Sequence, residues 1–378
     1  MPSCKSLLRE LIAIPSVNPA FLPSGDPRTG EAAVAEFLAE QAARAGFAVE
    51  RQTVFPGRAN LLARLTPSGK VRQRILLAPH LDTVGSNVMS PELFQPVEKN
   101  GRLHGRGACD TKGSVAAMWT ALTRVAESAK RPRETEIIFV GLVDEENGQS
   151  GSRALVASGL KADLAIVGEP TCLRVVTAHK GDLWLRLETR GKAAHGARPD
   201  LGRNAVLEMA RVVELLETDY AAALRKREHA LLGHPTVNVG SIHGGTQPNI
   251  VPAHCVISVD RRTIPGETEA SVRREIKALL RQHGLRATLT SDKLAPCEPM
   301  ETAAGLPLIQ QFLTQAGQTE PVGVHYFCDA SVLSGGGIPS IVFGPGDIAQ
   351  AHTADEWISL RSLDRAAALL TTFLRSLA

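Results

Sequence analysis

Imidazole and carboxylate side chains gather in five short stretches of this chain: His80 and Asp82, Asp110, Asp144-Glu145-Glu146, Glu169, and His352. Crowded carboxylates repel one another and lose solvation, so such a set is unstable unless something positive holds it together. A pair of metal ions would do so. With His80, Asp110 and Glu169 around one ion, and Asp110, Glu146 and His352 around the other, Asp110 bridges. Two Zn²⁺ ions bring four positive charges; three carboxylates and a bridging hydroxide bring four negative ones, and the charges cancel. Mixed imidazole and carboxylate ligation suits zinc better than magnesium or calcium, with cobalt or manganese as substitutes. Asp82, two residues after a ligating histidine, is placed to accept the hydrogen of its other ring nitrogen and set its tautomer. Glu145 is the spare acid: in an extended segment it faces away from Glu146 and is free to act as general base towards a metal-bridging water.

These residues need elements that deliver them to one place. Apolar strand-like runs at 75–78, 137–143, 164–167 and 341–343 each precede one of the polar stretches, so the candidates sit at the carboxyl ends of strands, where open α/β sheets bind ligands. Asp110 comes from a glycine-rich loop, 101–113, that leads into a helix from about Ser114. A helix is expected over 31–46, ending at Gly46. Alternation of strands and helices implies an α/β fold with a mixed, largely parallel sheet flanked by helices. Between 179 and 290 the pattern changes to strand (183–189), helix (203–216), two strands (236–242 and 254–261) and helix (269–283). This is an α+β unit inserted into the larger one, giving a catalytic domain of residues 1–178 and 291–378 and a second domain of residues 179–290.

Composition narrows the classes of function. A chain of 378 residues with 43% hydrophobic and 21% charged residues folds as an ordinary globular protein. A net charge of +3, with both signs interspersed, does not make the basic stripe that nucleic acid requires, so no nucleic-acid partner is expected. Neither signal peptide nor membrane span is expected: the stretch from Met1 to Ile12 is interrupted by Arg9 and Glu10, and no later run is long and apolar enough. The six cysteines form no C-x-x-C pair and read as reduced thiols, which points to the cytoplasm. The 105–113 loop carries neither phosphate-binding glycine signature. Cys109 reads as a packing residue, and the other histidines as structural or solvated.

Five motifs occur in order: Ala78-Pro-His-Leu-Asp-Thr-Val84, Gly105-Arg-Gly-Ala-Cys-Asp-Thr-Lys-Gly113, Val143-Asp-Glu-Glu146, Gly168-Glu-Pro170 and Gly344-Pro-Gly-Asp-Ile-Ala-Gln-Ala-His352. Together they resemble the family of acetylornithine deacetylase, succinyl-diaminopimelate desuccinylase and carboxypeptidase G, over nearly the whole chain. The resemblance implies two zinc ions per subunit and a homodimer joined through the inserted domain, which acts as a lid. It also implies that His195, in Gly191-Lys-Ala-Ala-His195, stabilises an oxyanion in the partner's site. Asn249, Gly346 and Arg262, the last preferred over Arg261, are implied substrate contacts. The implied activity is metal-dependent hydrolysis of the amide bond of a small N-acyl amino acid, acetylornithine deacetylase-like on the run from Val342 to Glu356. Desuccinylase comes second, and a metallocarboxypeptidase or dipeptidase third.

Overall fold

The computed structural model describes residues 3–86, 90–293 and 295–378, so Met1 and Pro2 of the N-terminal stretch lie outside it. The strands that matter here are β1 (Ala48–Phe55), β2 (Arg58–Leu65), β3 (Gln73–Pro79), β4 (Thr135–Gly141), β5 (Leu164–Gly168), β6 (Val176–His179), β7 (Gly181–Arg190), β8 (Thr236–Gly244), β9 (His254–Thr263), β10 (Thr288–Ser291) and β11 (Ser340–Val342). The helices are α1 (Cys4–Ala13), α2 (Ala32–Arg44), α3 (Lys112–Ala126), α4 (Ala205–Leu215), α5 (Glu269–Gln282) and α6 (Leu360–Arg375).

Two compact units account for the chain. The first comprises Met1–Thr177, Thr302–Val322 and Cys328–Ala378; the second comprises Ala178–Glu301 with Gly323–Phe327. Sequence texture put the return to the first unit at 290/291. By contacts, 291–301 stay with the second unit, because β10 pairs with β7 and Cys297 receives the Asp182 amide.

In the first unit the sheet runs β1-β2-β4-β3-β5-β11 and continues to β6. The pairs β3/β4, β3/β5 and β5/β11 are parallel, whereas β1/β2 and β2/β4 are antiparallel. Strands β4 and β5 are buried along their whole lengths, as parallel strands covered on both faces must be, which is why they read as unbroken apolar runs. The antiparallel β1/β2 pair, exposed on part of its surface, has no such run and was not apparent in the sequence. Helix α3 is buried almost throughout. Its Trp119 stands edge-on to Phe47 and to Phe139 of β4, with ring centroids 6.2 and 5.0 Å apart. Because Asp110 lies just before α3, this packing sets where the glycine-rich loop ends. At the other end of the chain the short strand Trp357–Ser359 pairs antiparallel with Arg102–His104, which brings the segment after His352 to the root of the same loop.

The second unit is an antiparallel sheet, β8-β9-β7-β10, with α4 and α5 supplying its apolar core. Helix α5 starts on a capping box, Thr268 with Ser271. Among the described residues no helix is long and apolar enough to cross a membrane.

Trp119→Ala removes a side chain that is 2% exposed and joins α3 to the sheet. The loss expected is about 3–5 kcal/mol of unfolding free energy, measured by urea titration.

Candidate metal centre

Each strand end delivers its residue by a different local device. His80 follows β3 directly and Glu169 follows β5 directly, two neighbouring parallel strands that end at one edge. The β4 strand ends at Gly141, earlier than the apolar run suggested, and the chain then turns. Asp144 adopts a left-handed conformation (φ 67°), and the amides of Gly148 and Gln149 bond back to its carbonyl. Sequence reasoning set Glu145 apart from Glu146 by the alternation of an extended strand; in the structure both residues lie in a turn instead. The left-handed Asp144 is held by its own contacts: Ser150 Oγ donates to Oδ2 (2.6 Å), Asn18 Nδ2 to Oδ1 (3.0 Å), and Arg58 Nη2 lies 3.3 Å from Oδ1.

The five candidate ligands meet as two groups, His80/Asp110/Glu169 and Asp110/Glu146/His352, each with donor atoms within 4.8 Å of one another. Asp110 divides its oxygens between them. Oδ1 is 3.0 Å from His80 Nε2, and Oδ2 is 3.3 Å from His352 Nε2. Glu169 Oε1 lies 3.8 Å from His80 Nε2, and Glu146 Oε2 lies 3.1 Å from His352 Nε2. His80, Asp110 and Glu169 are buried; His352, left-handed at φ 61°, keeps 58% of its side chain open to solvent. Glu146 Oε1 is buried without a hydrogen-bond partner among the described residues. An orphaned carboxylate oxygen beside an imidazole and a second carboxylate fits a divalent ion, and the mixed donor set fits zinc.

Protonation shows the strain of the metal-free cluster. Burial pushes Glu145 and Glu169 well above the usual carboxylate range. Burial, then the Asp110 charge, raises Glu146 to about 7. Burial also opposes charge on Asp110, but bonds to His352 and His80 outweigh it and hold that carboxyl below its ordinary value. His352, between Asp110 and Glu146, is raised to about 10. Burial opposes a charge on His80 as well, yet Glu169, Asp110 and Asp82 carry its pKa well above the ordinary range.

Asp82 does more than its sequence position suggested. His80 Nδ1 lies 3.0 Å from the Asp82 backbone carbonyl and 3.4 Å from its Oδ1, so the main-chain oxygen is the closer acceptor and leaves Nε2 facing Asp110. The Asp82 carboxylate instead accepts the amides of Glu145 (3.2 Å) and Glu146 (3.1 Å) and Asn18 Nδ2 (2.7 Å). It ties the His80 strand end to the glutamate turn. Sequence reasoning missed Asn18, which bridges two buried carboxylates, and the Arg58–Glu31 pair (2.6 Å), whose Glu31 Oε1 also accepts the Asp144 amide. It also missed Asp329, buried on Ser152 Oγ (2.5 Å) and raised by burial to about 7. Asn18 was visible as an asparagine before Pro19; nothing in the spacing linked it to residues 64 and 126 positions away.

Gly346 has φ +90°, and a Cβ there would meet Cys109 Sγ at 2.5 Å, so the close packing of its loop on Cys109 requires glycine. His195, Asn249 and Arg262 belong to the second unit. The segments of His195 and Asn249 are stitched together by Gly196 N to Asn249 O (2.7 Å), and both side chains are exposed. His195 Nδ1 accepts the Ala197 amide (3.1 Å), which leaves its proton on Nε2. Arg262 forks onto Asp260 with two bonds of 2.9 Å and remains part-exposed. Its neighbour Arg261 is fully buried on Tyr220 and Glu267, so only Arg262 of the pair has a guanidinium open to solvent.

Residues 76–376 match Peptidase family M20/M25/M40. An acetylornithine deacetylase from Myxococcus xanthus is 33% identical over 383 residues, covering 98% of this chain and 96% of that protein. An M20 family metallo-carboxypeptidase from Sulfolobus solfataricus superposes with a TM-score of 0.78 at 20% identity, covering 99% of both chains. A dinuclear metal-binding peptidase of the M20 family from Bacillus subtilis superposes with a TM-score of 0.68 at 12% identity, covering 98% of this chain and 96% of that one. With ordered motifs, a mixed α/β sheet and two residue groups able to hold metal, this chain belongs to Peptidase family M20/M25/M40 and is a metal-dependent amidohydrolase.

Proposed function

We propose that the chain hydrolyses the amide bond of a small N-acyl amino acid, of the acetylornithine class, with two zinc ions held by His80, Asp110, Glu146, Glu169 and His352. The observation that carries this reading is the division of Asp110 between two histidine-carboxylate groups, supported by full-length similarity to an acetylornithine deacetylase. When bound, the ions supply an activated water and an electrophile for the scissile carbonyl. Glu145 takes the proton of the attacking water and passes it to the departing amine; burial, which raises its affinity for a proton, suits both halves of that task. Asp82 positions His80 and the turn bearing Glu145 and Glu146. His195, with its proton on Nε2, is the oxyanion donor, while Asn249, Arg262 and the Gly346 loop contact substrate.

We assign to the second unit, Ala178–Glu301 with Gly323–Phe327, the roles of lid and dimer interface. Strand β8 is the edge of its sheet, with Ile242 49% exposed, and Leu207 on the adjoining α4 is 55% exposed. Among the described residues Cys4, Cys109, Cys172, Cys255 and Cys328 form no disulfide, as suits a reducing cytoplasm.

Hydrolysis of N-acetyl, N-succinyl and dipeptide substrates, with zinc or cobalt supplied and with a chelator, tests the reading. N-acetyl amino acids are expected to turn over fastest, with chelator abolishing the rate; preference for succinyl or dipeptide substrates would reassign the substrate, and no amide hydrolysis with metal would sink the proposal. Glu145→Gln should retain two ions per chain in elemental analysis while kcat falls by about 10²–10⁴.

Protons and metal ions compete for this centre. Glu146 binds a proton more tightly folded (about 7) than at its ordinary 4.5, and His352 more tightly (about 10) than at 6.5. The stability linked to each is complete below the ordinary value and lost as pH rises through the folded one. Melting temperature of the metal-free protein should therefore fall from about pH 5 to about pH 9, and zinc should flatten the slope by replacing those protons. Parallel curves with and without zinc would contradict this.

A further inference from the structure

Glu356 accepts five hydrogen bonds from the loop that carries Asp110. Its carboxylate is 3% exposed. Oε1 accepts the amides of Cys109 (2.8 Å) and Asp110 (2.9 Å); Oε2 accepts the Gly107 amide (2.8 Å) and Arg106 Nη1 (3.0 Å). The Glu356 carbonyl accepts the Gly105 amide as well (3.0 Å). Inside the loop, Ala108 N bonds to Gly105 O and Lys112 N to Gly107 O, which leaves the amides of Gly107, Cys109 and Asp110 converging on this one side chain. Three inward-pointing amides form a nest that binds an anion, and here the anion is part of the chain.

We propose that Glu356 is a positioning residue that pre-forms the dinuclear centre, by clamping the loop that carries the shared ligand Asp110 to the segment that carries His352; this rests on the metal-dependent reading above. Two features separate it from an ordinary buried acid satisfied by whatever donors are near. Its donors all come from residues 105–110, so the clamp acts on the backbone of the one carboxylate common to both ligand groups. Glu356 also stands four residues after His352, and the adjoining strand Trp357–Ser359 pairs with Arg102–His104, so both loops are indexed to each other through the same point. Glu146 and His80 have a separate anchor in Asp82. Loss of Glu356 therefore disturbs both ions at once through Asp110, whereas loss of a single-group ligand such as Glu169 disturbs one.

Glutamine is not a conservative replacement, because its amide nitrogen would face donors: one oxygen is left for four N–H groups. In Glu356→Gln, competition between the metal-free protein and a chromophoric chelator for Zn²⁺ and for Co²⁺ should show both sites weakened together by about 10–100-fold. Glu169→Gln should weaken one site. Far-UV circular dichroism of the metal-free variant reports whether the fold is kept. Two sites of wild-type affinity in Glu356→Gln, with only a lower melting temperature, would overturn the proposal. The wild-type protein supplies a test that does not depend on the variant folding. Hydrogen exchange of the peptide spanning residues 105–111 should be as slow without metal as with it; rapid exchange that only metal suppresses would mean that the ion orders the loop, and the proposal fails. A wild-type protein that binds two ions but cleaves no amide would refute the proposed activity and leave this inference standing.

Discussion

Three acids and two imidazoles share a small, mostly buried volume, and the rest of the first unit is organised around the cost of keeping them there. Buried carboxylates at these separations do not all ionise unless positive charge is supplied. Without a metal that charge would have to come from protons, and the neighbouring carboxylates raise the pKa of both His352, between Asp110 and Glu146, and His80, between Asp110 and Glu169. A divalent pair supplies it more densely. The same crowding that destabilises the empty cluster is thus what gives it affinity for cations, and Asp110, with one oxygen for each group, is where the two demands meet.

The candidate ligands are not held by their strands alone. Around them lies a set of charge-assisted bonds in which carboxylates accept backbone amides: Asp82 from Glu145 and Glu146, Glu31 from Asp144, Glu356 from Gly107, Cys109 and Asp110. Each contact fixes main chain rather than side chain, and so fixes the direction in which a ligand leaves the backbone. The left-handed Asp144 belongs to this scheme. It is an unfavourable conformation for a non-glycine residue, sustained by Asn18, Arg58 and Ser150, and it sends Glu145 and Glu146 into the turn. The second unit is built differently, on an antiparallel sheet whose buried Arg261 braces the core while Arg262, next along the strand, points its guanidinium outwards. Alternation on a strand separates a structural arginine from an available one.

Much was legible from the residues in order. Continuous apolar runs marked β4 and β5 because strands covered on both faces admit little else, and the period change after residue 178 marked the inserted unit. The nature of the side chains after those strands, imidazole and carboxylate at sheet ends, pointed to a metal pair before any contact was known. The β1/β2 pair escaped because β1 is largely exposed and polar residues, Arg58, Asn60 and Arg64, flank the short buried stretch of β2. Contacts such as that of Cys297 with the Asp182 amide, which extend the second unit to Glu301, follow no period in the sequence.

What the residue order determined on its own was the chemistry available: which imidazole and carboxylate donors exist, and that most of them follow strands. Only the tertiary structure decided how those donors are aimed. That Asp82 grips the glutamate turn more than His80, that Glu145 and Glu146 follow a left-handed Asp144, that Asn18 holds Asp82 from 64 positions away and that Glu356 holds the Asp110 amide from 246 positions away are results of packing. Hydrogen bonds between distant main-chain and side-chain groups follow no local periodicity, so they exist only once the strands have been brought together.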